Sequence, residues 1–191
     1  MELLNGCFNL ENLKTKQLSF EFDYDDDERK FKPLLKLVRA DIGVTMGMIK
    51  LSYFNEFLCK FADIPIFPNL IHMELTLGGR IKMESLLYFL NHCPRLQNLV
   101  MENLFSIDSR NWPNTLVASE CFSSQLRTCF LPCFTGTDSE LRFSKFVMQN
   151  STLLGSMKII GHSLSHEKKA KMRIELDSCP RSSANCQLLF M

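Results

Sequence analysis

The chain has 191 residues, a formal net charge of +1, 46% hydrophobic residues and 23% charged residues. Its hydrophobic content is too high for a disordered chain, and its length is enough for one large core or two small ones. The near-zero charge excludes a broad electrostatic attraction to nucleic acid or to an anionic membrane surface.

The beginning of the chain shows no targeting or membrane signal. Residues 1–13 lack a basic start followed by an apolar run, and no stretch approaches the roughly 18 apolar residues of a membrane span. We therefore expect an intracellular protein, cytoplasmic and/or nuclear, with no nucleic-acid partner and no membrane partner.

The first third of the chain predicts strands only weakly. The acidic run at residues 23–28 could offer carboxylates to calcium, but it lacks the glycine and the final glutamate of an EF-hand loop. We interpret it as a solvated loop. Two strand-like segments follow, with uncertain register, at Leu35, Val38 and Ala40 and at Phe54, Phe57 and Cys59.

From residue 70 onward the pattern L-x-x-L-x-L recurs at a step of about 28 residues, which is typical of leucine-rich repeats. Each copy predicts one strand with its apolar residues facing inward. The copies are Leu70, Met73 and Leu75; Leu96, Leu99 and Met101; Leu126, Cys129 and Leu131; and Leu154, Met157 and Ile159. Cys186, Leu188 and Phe190 extend the series, with Cys186 placed as the equivalent of Met157.

Segments with the apolar periodicity of a helix lie between these strands. The first helix carries apolar residues at i, i+3, i+4 and i+7 from Met83 and stops before Pro94. The second begins at a predicted capping box formed by Thr137 and Glu140. The third covers about residues 167–179. A strand that runs parallel to the previous one needs a crossover connection, and a helix between the two strands provides it.

The alternation predicts an α/β fold, a leucine-rich-repeat-like solenoid with parallel strands on the concave face and helices on the convex face. Side chains alternate along a strand, so the residue between two inward positions points outward. The outward row is the candidate partner-binding surface: Glu74, Val100, Phe130, Lys158 and Gln187. A second outward row, one step further along, is Thr76, Glu102, Pro132, Ile160 and Leu189.

The carboxy-terminal part carries two motifs of a known family. The closing motif, C-P-R-x-S-x-x-C before a hydrophobic strand, is formed by Cys179, Pro180, Arg181, Ser182, Ser183 and Cys186. Residues 120–126 match an opening segment in which Ser119 stands where proline is usual. Together these motifs resemble the FBD domain of plant F-box proteins. The resemblance covers about residues 116–191, so we expect degenerate leucine-rich repeats at 1–115 and, at 116–191, an FBD domain that continues the stack.

The resemblance also implies a function. In F-box/FBD/LRR-repeat proteins the F-box binds the Skp adaptor of a cullin-RING (SCF) ubiquitin ligase, and the repeats and FBD domain are thought to recruit targets. We therefore expect a non-catalytic protein-protein interaction module with an unidentified target protein. No segment here resembles an F-box, so a Skp-type adaptor is not expected to bind. An alternative is a truncated paralogue or fragment with no independent ligase role.

The closing motif can also be interpreted from its residues alone. Pro180 stops the preceding helix, Arg181 can approach the helix's carbonyl end, and the serines can satisfy turn amides. This interpretation makes the motif structural. An alternative is that Arg181 anchors an acidic group of a partner.

A second alternative is a thiol- or zinc-dependent enzyme built on Cys129, Cys133, His162 and His166. The pattern contains no C-x-x-C pair, and Cys129 occupies an inward position. We expect the cysteines to be reduced and packed as small hydrophobic residues. We therefore expect no catalytic residue, no cofactor and no metal site.

Overall fold

The computed structural model describes residues 12–15, 39–43, 66–77, 82–107, 120–161 and 164–191. Within these ranges the strands are β1 Asn12–Thr15, β2 Arg39–Gly43, β3 His72–Thr76, β4 Asn98–Glu102, β5 Thr128–Leu131, β6 Ser156–Ile159 and β7 Gln187–Phe190. The helices are α1 Met83–Asn91, α2 Glu120–Ser124, α3 Asp138–Asn150 and α4 His166–Asp177, and a 3-10 helix covers Leu104–Ser106.

The strands form one parallel sheet in which the spatial order is the chain order, from β1 to β7. In the register of the central strands, Met73 lies opposite Leu99, Leu99 opposite Cys129, and Cys129 opposite Met157. Helices α1, α3 and α4 each stand between two consecutive strands and return the chain for the next parallel strand. The predicted α/β class is confirmed.

Burial alternates along the strands as the pattern predicts. In β3, Met73 and Leu75 are buried and the residues beside them are half-exposed, and β4 repeats this alternation with Leu99 and Met101. The inward residues belong to the same hydrophobic core as the buried faces of the helices. Burial of each large apolar side chain stabilises the fold by about 1.5–3 kcal/mol.

The three predicted helices are present close to their predicted bounds. α1 buries Met83 and Leu90, and α4 buries Met172 and Leu176. The predicted capping box at α3 is confirmed. None of the helices in the described part of the chain is both long enough and apolar enough to span a membrane.

The amino-terminal strands differ from the prediction. β1 was not predicted, although Leu13 pairs with Ala40 and so occupies a repeat position. Ala40 was predicted in the position equivalent to Leu75, but it pairs with Met73, two residues earlier in the strand. The acidic run at 23–28 and the strand-like segment at 54–59 lie outside the described residues.

Candidate interaction surface

The face of the sheet opposite the hydrophobic core is called the outer face below, and its residues are aligned across the strands in three rows. The first row is His72, Asn98, Thr128, Ser156 and Gln187. The central row is Glu74, Val100, Phe130, Lys158 and Leu189. The last row contains Thr76 and Glu102.

One residue of the predicted partner-binding row is misplaced. Gln187 pairs with Ser156 and belongs to the first row, whereas Leu189 lies opposite Lys158. The error is a slip of two residues, which keeps the inward and outward alternation unchanged. It arose because Cys186 was taken as the first inward strand residue, whereas β7 begins one residue later. The other four residues of that row are aligned as predicted.

The first row is polar on every strand from β3 to β7. The Thr128 hydroxyl donates to the Asn98 side-chain oxygen at 2.8 Å, and the Asn98 amide nitrogen donates to the Ile71 carbonyl at 3.4 Å. Sequence reasoning missed this row. The signal was available, because a polar residue precedes the second apolar residue of every repeat, counting Leu188 as that residue in the last.

Two carboxylates lie on the outer face at β3 and β4. The Glu74 carboxylate is 2.9 Å from the His72 Nε2 atom, and the Glu102 carboxylate accepts a hydrogen bond from the Thr76 hydroxyl at 3.2 Å. Glu74 and Glu102 are both half-buried. Their cross-strand and same-strand contacts restrict the side chains that present the negative charge.

The other end of the outer face, at β5 to β7, carries the apolar side chains Phe130, Leu189 and Met191 beside Lys158 and the polar residues of the first row. The Lys158 ammonium lies 4.9 Å from the centre of the Phe130 ring, a cation-π arrangement that is worth about 0.5–1 kcal/mol at an exposed site. Leu189 and Met191 are 47% and 52% exposed. These side chains give this end of the outer face an exposed apolar surface.

The closing motif makes contacts within the chain. Arg181 donates to the Cys186 carbonyl at 2.8 Å and to the Asp177 carboxylate at 3.4 Å, so it joins the end of α4 to the start of β7. Cys179 and Cys186 are buried on either side of this link. These contacts support the structural interpretation of the motif.

Ser182 has a different role from the one predicted. Its hydroxyl donates to the Gln149 carbonyl and its backbone amide donates to the Met148 carbonyl at 3.0 Å. Both acceptors lie in the last turn of α3, where carbonyls lack partners within the helix. Ser182 therefore satisfies helix carbonyls, whereas we predicted that the serines satisfy turn amides.

The residues of the thiol or zinc hypothesis do not share one environment. Cys129 is buried, and burial raises the pKa of its thiol from 9.0 to about 12. Cys133 and His166 are exposed, and His162 lies outside the described residues. Among the described residues, no three or more His, Cys, Asp or Glu side chains are grouped so that they could hold a metal ion. A fully buried thiol with a raised pKa is a poor nucleophile and a poor metal ligand.

Comparisons with known proteins show what this chain is similar to. Residues 117–159 match the FBD family model. The resemblance to plant F-box/FBD/LRR-repeat proteins is confirmed. An Arabidopsis thaliana F-box/FBD/LRR-repeat protein is 26% identical over 82% of this chain and 38% of its own length. A second protein of that name from the same plant is 27% identical over 67% of this chain and 28% of its own length.

A third relative is similar over a shorter stretch. An F-box/LRR-repeat protein of Arabidopsis thaliana is 46% identical over 33% of this chain and 18% of its own length. Three other relatives match 65% to 84% of this chain, and the chain spans about a third of their length. No solved structure gives a significant match.

Proposed function

We propose that the chain is a protein-interaction module that serves as the target-recognition region of a plant F-box protein, as in an SCF ubiquitin ligase. The observation that carries the proposal is the outer face, where polar, charged and apolar side chains are aligned in rows across the parallel strands. Its mechanism is surface complementarity without bond-making. The names of the relatives, which combine F-box and leucine-rich repeats, support this role.

We also propose that the sheet is a leucine-rich-repeat-like solenoid with its strands on the concave face. The identity of spatial order and chain order supports this arrangement, because stacked repeats place each strand beside the previous one. The FBD match at 117–159 falls within the proposed second part, 116–191, and the repeats of 1–115 form the first.

Affinity capture with paired variants tests the proposal. The purified chain is immobilised, incubated with plant extract and washed, and the retained proteins are identified by mass spectrometry. A Phe130→Ser/Leu189→Ser variant removes two apolar side chains from the outer face. The control, Leu153→Ser/Ile174→Ser, removes two exposed apolar side chains elsewhere, at 47% and 71% exposure.

We expect the wild-type chain and the control to retain a common target protein that the outer-face variant loses, with all three chains folded by circular dichroism. Retention of the same proteins by all three chains would contradict binding through the outer face. Direct recovery of a Skp-type adaptor by the wild-type chain would contradict the expectation that this chain does not bind one.

A further inference from the structure

The two ends of the outer face differ in charge. Glu74 on β3 and Glu102 on β4 occupy adjacent strands, and Glu102 lies two residues beyond Val100, the partner of Glu74. The contacts of the Glu74 carboxylate include His72, and the Glu102 carboxylate accepts a hydrogen bond from the Thr76 hydroxyl. One strand step and two residues separate their Cα positions by about 8 Å, and two carboxylates at this spacing favour a cation near both. The β3–β4 end therefore favours a basic group from a partner.

The β5–β7 end favours a large apolar group. Phe130 is half-buried, and Leu189 and Met191 each keep about half of their surface exposed. Lys158 lies between Phe130 and Leu189 in the central row, with its ammonium over the Phe130 ring at 4.9 Å. That ammonium repels a second basic group, so the two ends of the face are not interchangeable for a partner.

The separation of the two ends sets the spacing of the complementary groups. Three strand-to-strand steps separate β4 from β7, and each step is about 4.8 Å, which gives about 14 Å. An extended chain covers this distance with about four residues. An extended segment that crosses the strands can therefore reach both ends at once.

We infer that the outer face binds an extended segment that carries a basic side chain for Glu74 and Glu102 and, about four residues away, a large apolar side chain for Phe130 and Leu189. This inference rests on the proposed function and specifies the chemistry of the target. An acidic segment is repelled at the β3–β4 end. A purely apolar segment would cover the two carboxylates without pairing them, which costs free energy.

Selection from a random linear peptide library displayed on phage tests the inference without knowledge of the natural target. The purified full chain is the bait, and the selected peptides are then synthesised with a fluorescent label. Their affinity is measured by fluorescence anisotropy for the wild-type chain, for Glu74→Gln/Glu102→Gln, and for a Glu84→Gln/Glu167→Gln control. The control neutralises two exposed glutamates that lie on α1 and α4.

We expect the selected peptides to carry an arginine or lysine about four residues from a large apolar residue. Their affinity should fall about three- to tenfold in Glu74→Gln/Glu102→Gln and stay unchanged in the control. Added salt should weaken binding to the wild-type chain more than binding to the outer-face variant. The absence of any enriched peptide, enrichment of acidic peptides, or equal affinity for the wild type and the Glu74→Gln/Glu102→Gln variant would overturn the inference.

The two proposals fail in different ways. If the Phe130→Ser/Leu189→Ser variant loses a captured target but Glu74→Gln/Glu102→Gln retains it undiminished, the proposed function stands and the basic partner chemistry is wrong. If neither variant alters capture, binding through the outer face is wrong and the inference falls with it.

Discussion

The Arg181 side chain links the end of helix α4 to the start of strand β7. Its guanidinium donates to the Cys186 carbonyl at 2.8 Å, and the same group reaches the Asp177 carboxylate at 3.4 Å. The first contact satisfies a backbone acceptor beside a buried cysteine, and the second is a partly exposed ion pair that contributes little. The carbonyl contact therefore accounts for most of the effect of Arg181 on stability.

This division of roles can be tested by substitution. Arg181→Ala should lower the free energy of unfolding by about 1–2 kcal/mol, because it removes a charge-assisted hydrogen bond to a backbone carbonyl. Asp177→Asn, which leaves that bond in place, should change it by less than about 0.5 kcal/mol. Urea unfolding followed by circular dichroism measures both values. Equal losses in the two variants would show that the ion pair is the more important contact.

Cys129 makes the stability of the fold dependent on alkaline pH. Burial raises the pKa of its thiol in the folded chain from 9.0 to about 12. The unfolded thiol therefore loses its proton first, and the stability contributed by Cys129 is complete below about pH 9 and is lost between about pH 9 and pH 12.

The predicted outcome is a falling unfolding free energy above pH 9, with Cys129 contributing up to about 1.4 kcal/mol per pH unit. A Cys129→Ala variant should have a smaller slope, whatever its stability at neutral pH. Urea unfolding at several pH values between about 8 and 10 measures the two slopes. Parallel profiles for the two chains would rule out Cys129 as a source of the dependence.

At the scale of the elements, the first turn of α3 contains an almost completely buried carboxylate, that of Glu140. Glu140 is 1% exposed, and it accepts hydrogen bonds from the Thr135 amide and hydroxyl and from the Thr137 amide and hydroxyl, at 2.8 to 3.1 Å. The capping box thus extends beyond the two residues that its motif contains. Four donors surround one acceptor group and fix the turn between β5 and α3.

Glu140→Gln should therefore be costly although it is nearly isosteric. The new amide group places donors against donors, and we expect the free energy of unfolding to fall by about 1–3 kcal/mol. Glu84→Gln is the matched control, because Glu84 is an exposed glutamate in the first turn of α1. Thermal unfolding of both variants compares the two sites. A loss in Glu140→Gln no larger than in Glu84→Gln would contradict the role of the buried carboxylate.

The elements also show which features the sequence can predict. The sequence shows which residues of a strand face inward, because an inward side chain must be apolar. The inward residues Met73, Leu99 and Met157 were therefore predicted correctly. The register of one strand against the next is harder to predict, because a shift of two residues leaves the same side chains facing inward. Such a shift caused the errors at Ala40 and Gln187. The sequence contains the signals for the three rows of the outer face, but the position of β7 within those rows required the register between strands.

At the scale of the whole molecule, the predicted division at 115/116 does not interrupt the structure. β4 and β5, on opposite sides of the division, pair at Leu99 with Cys129 and at Val100 with Phe130. The Ser139 hydroxyl on α3 donates to the Ile107 carbonyl at 2.7 Å. The inward residues of both parts belong to one hydrophobic core. The described residues on the two sides of the predicted division therefore share their packing.

Because the two parts share one core, we expect a destabilising substitution in one part to lower the free energy of unfolding of the other part as well. Leu99→Ala in β4 removes a fully buried side chain and should lower the free energy of unfolding by about 2–5 kcal/mol. If the two parts unfold together, hydrogen exchange of the backbone amides in β6 should lose the same protection free energy as exchange in β3, because both require global opening. Leu153→Ala, at an exposed position, should leave both strands protected. Loss of protection in β3 with β6 unchanged would show instead that the FBD-matching part is a cooperative unit of its own, despite the continuous sheet.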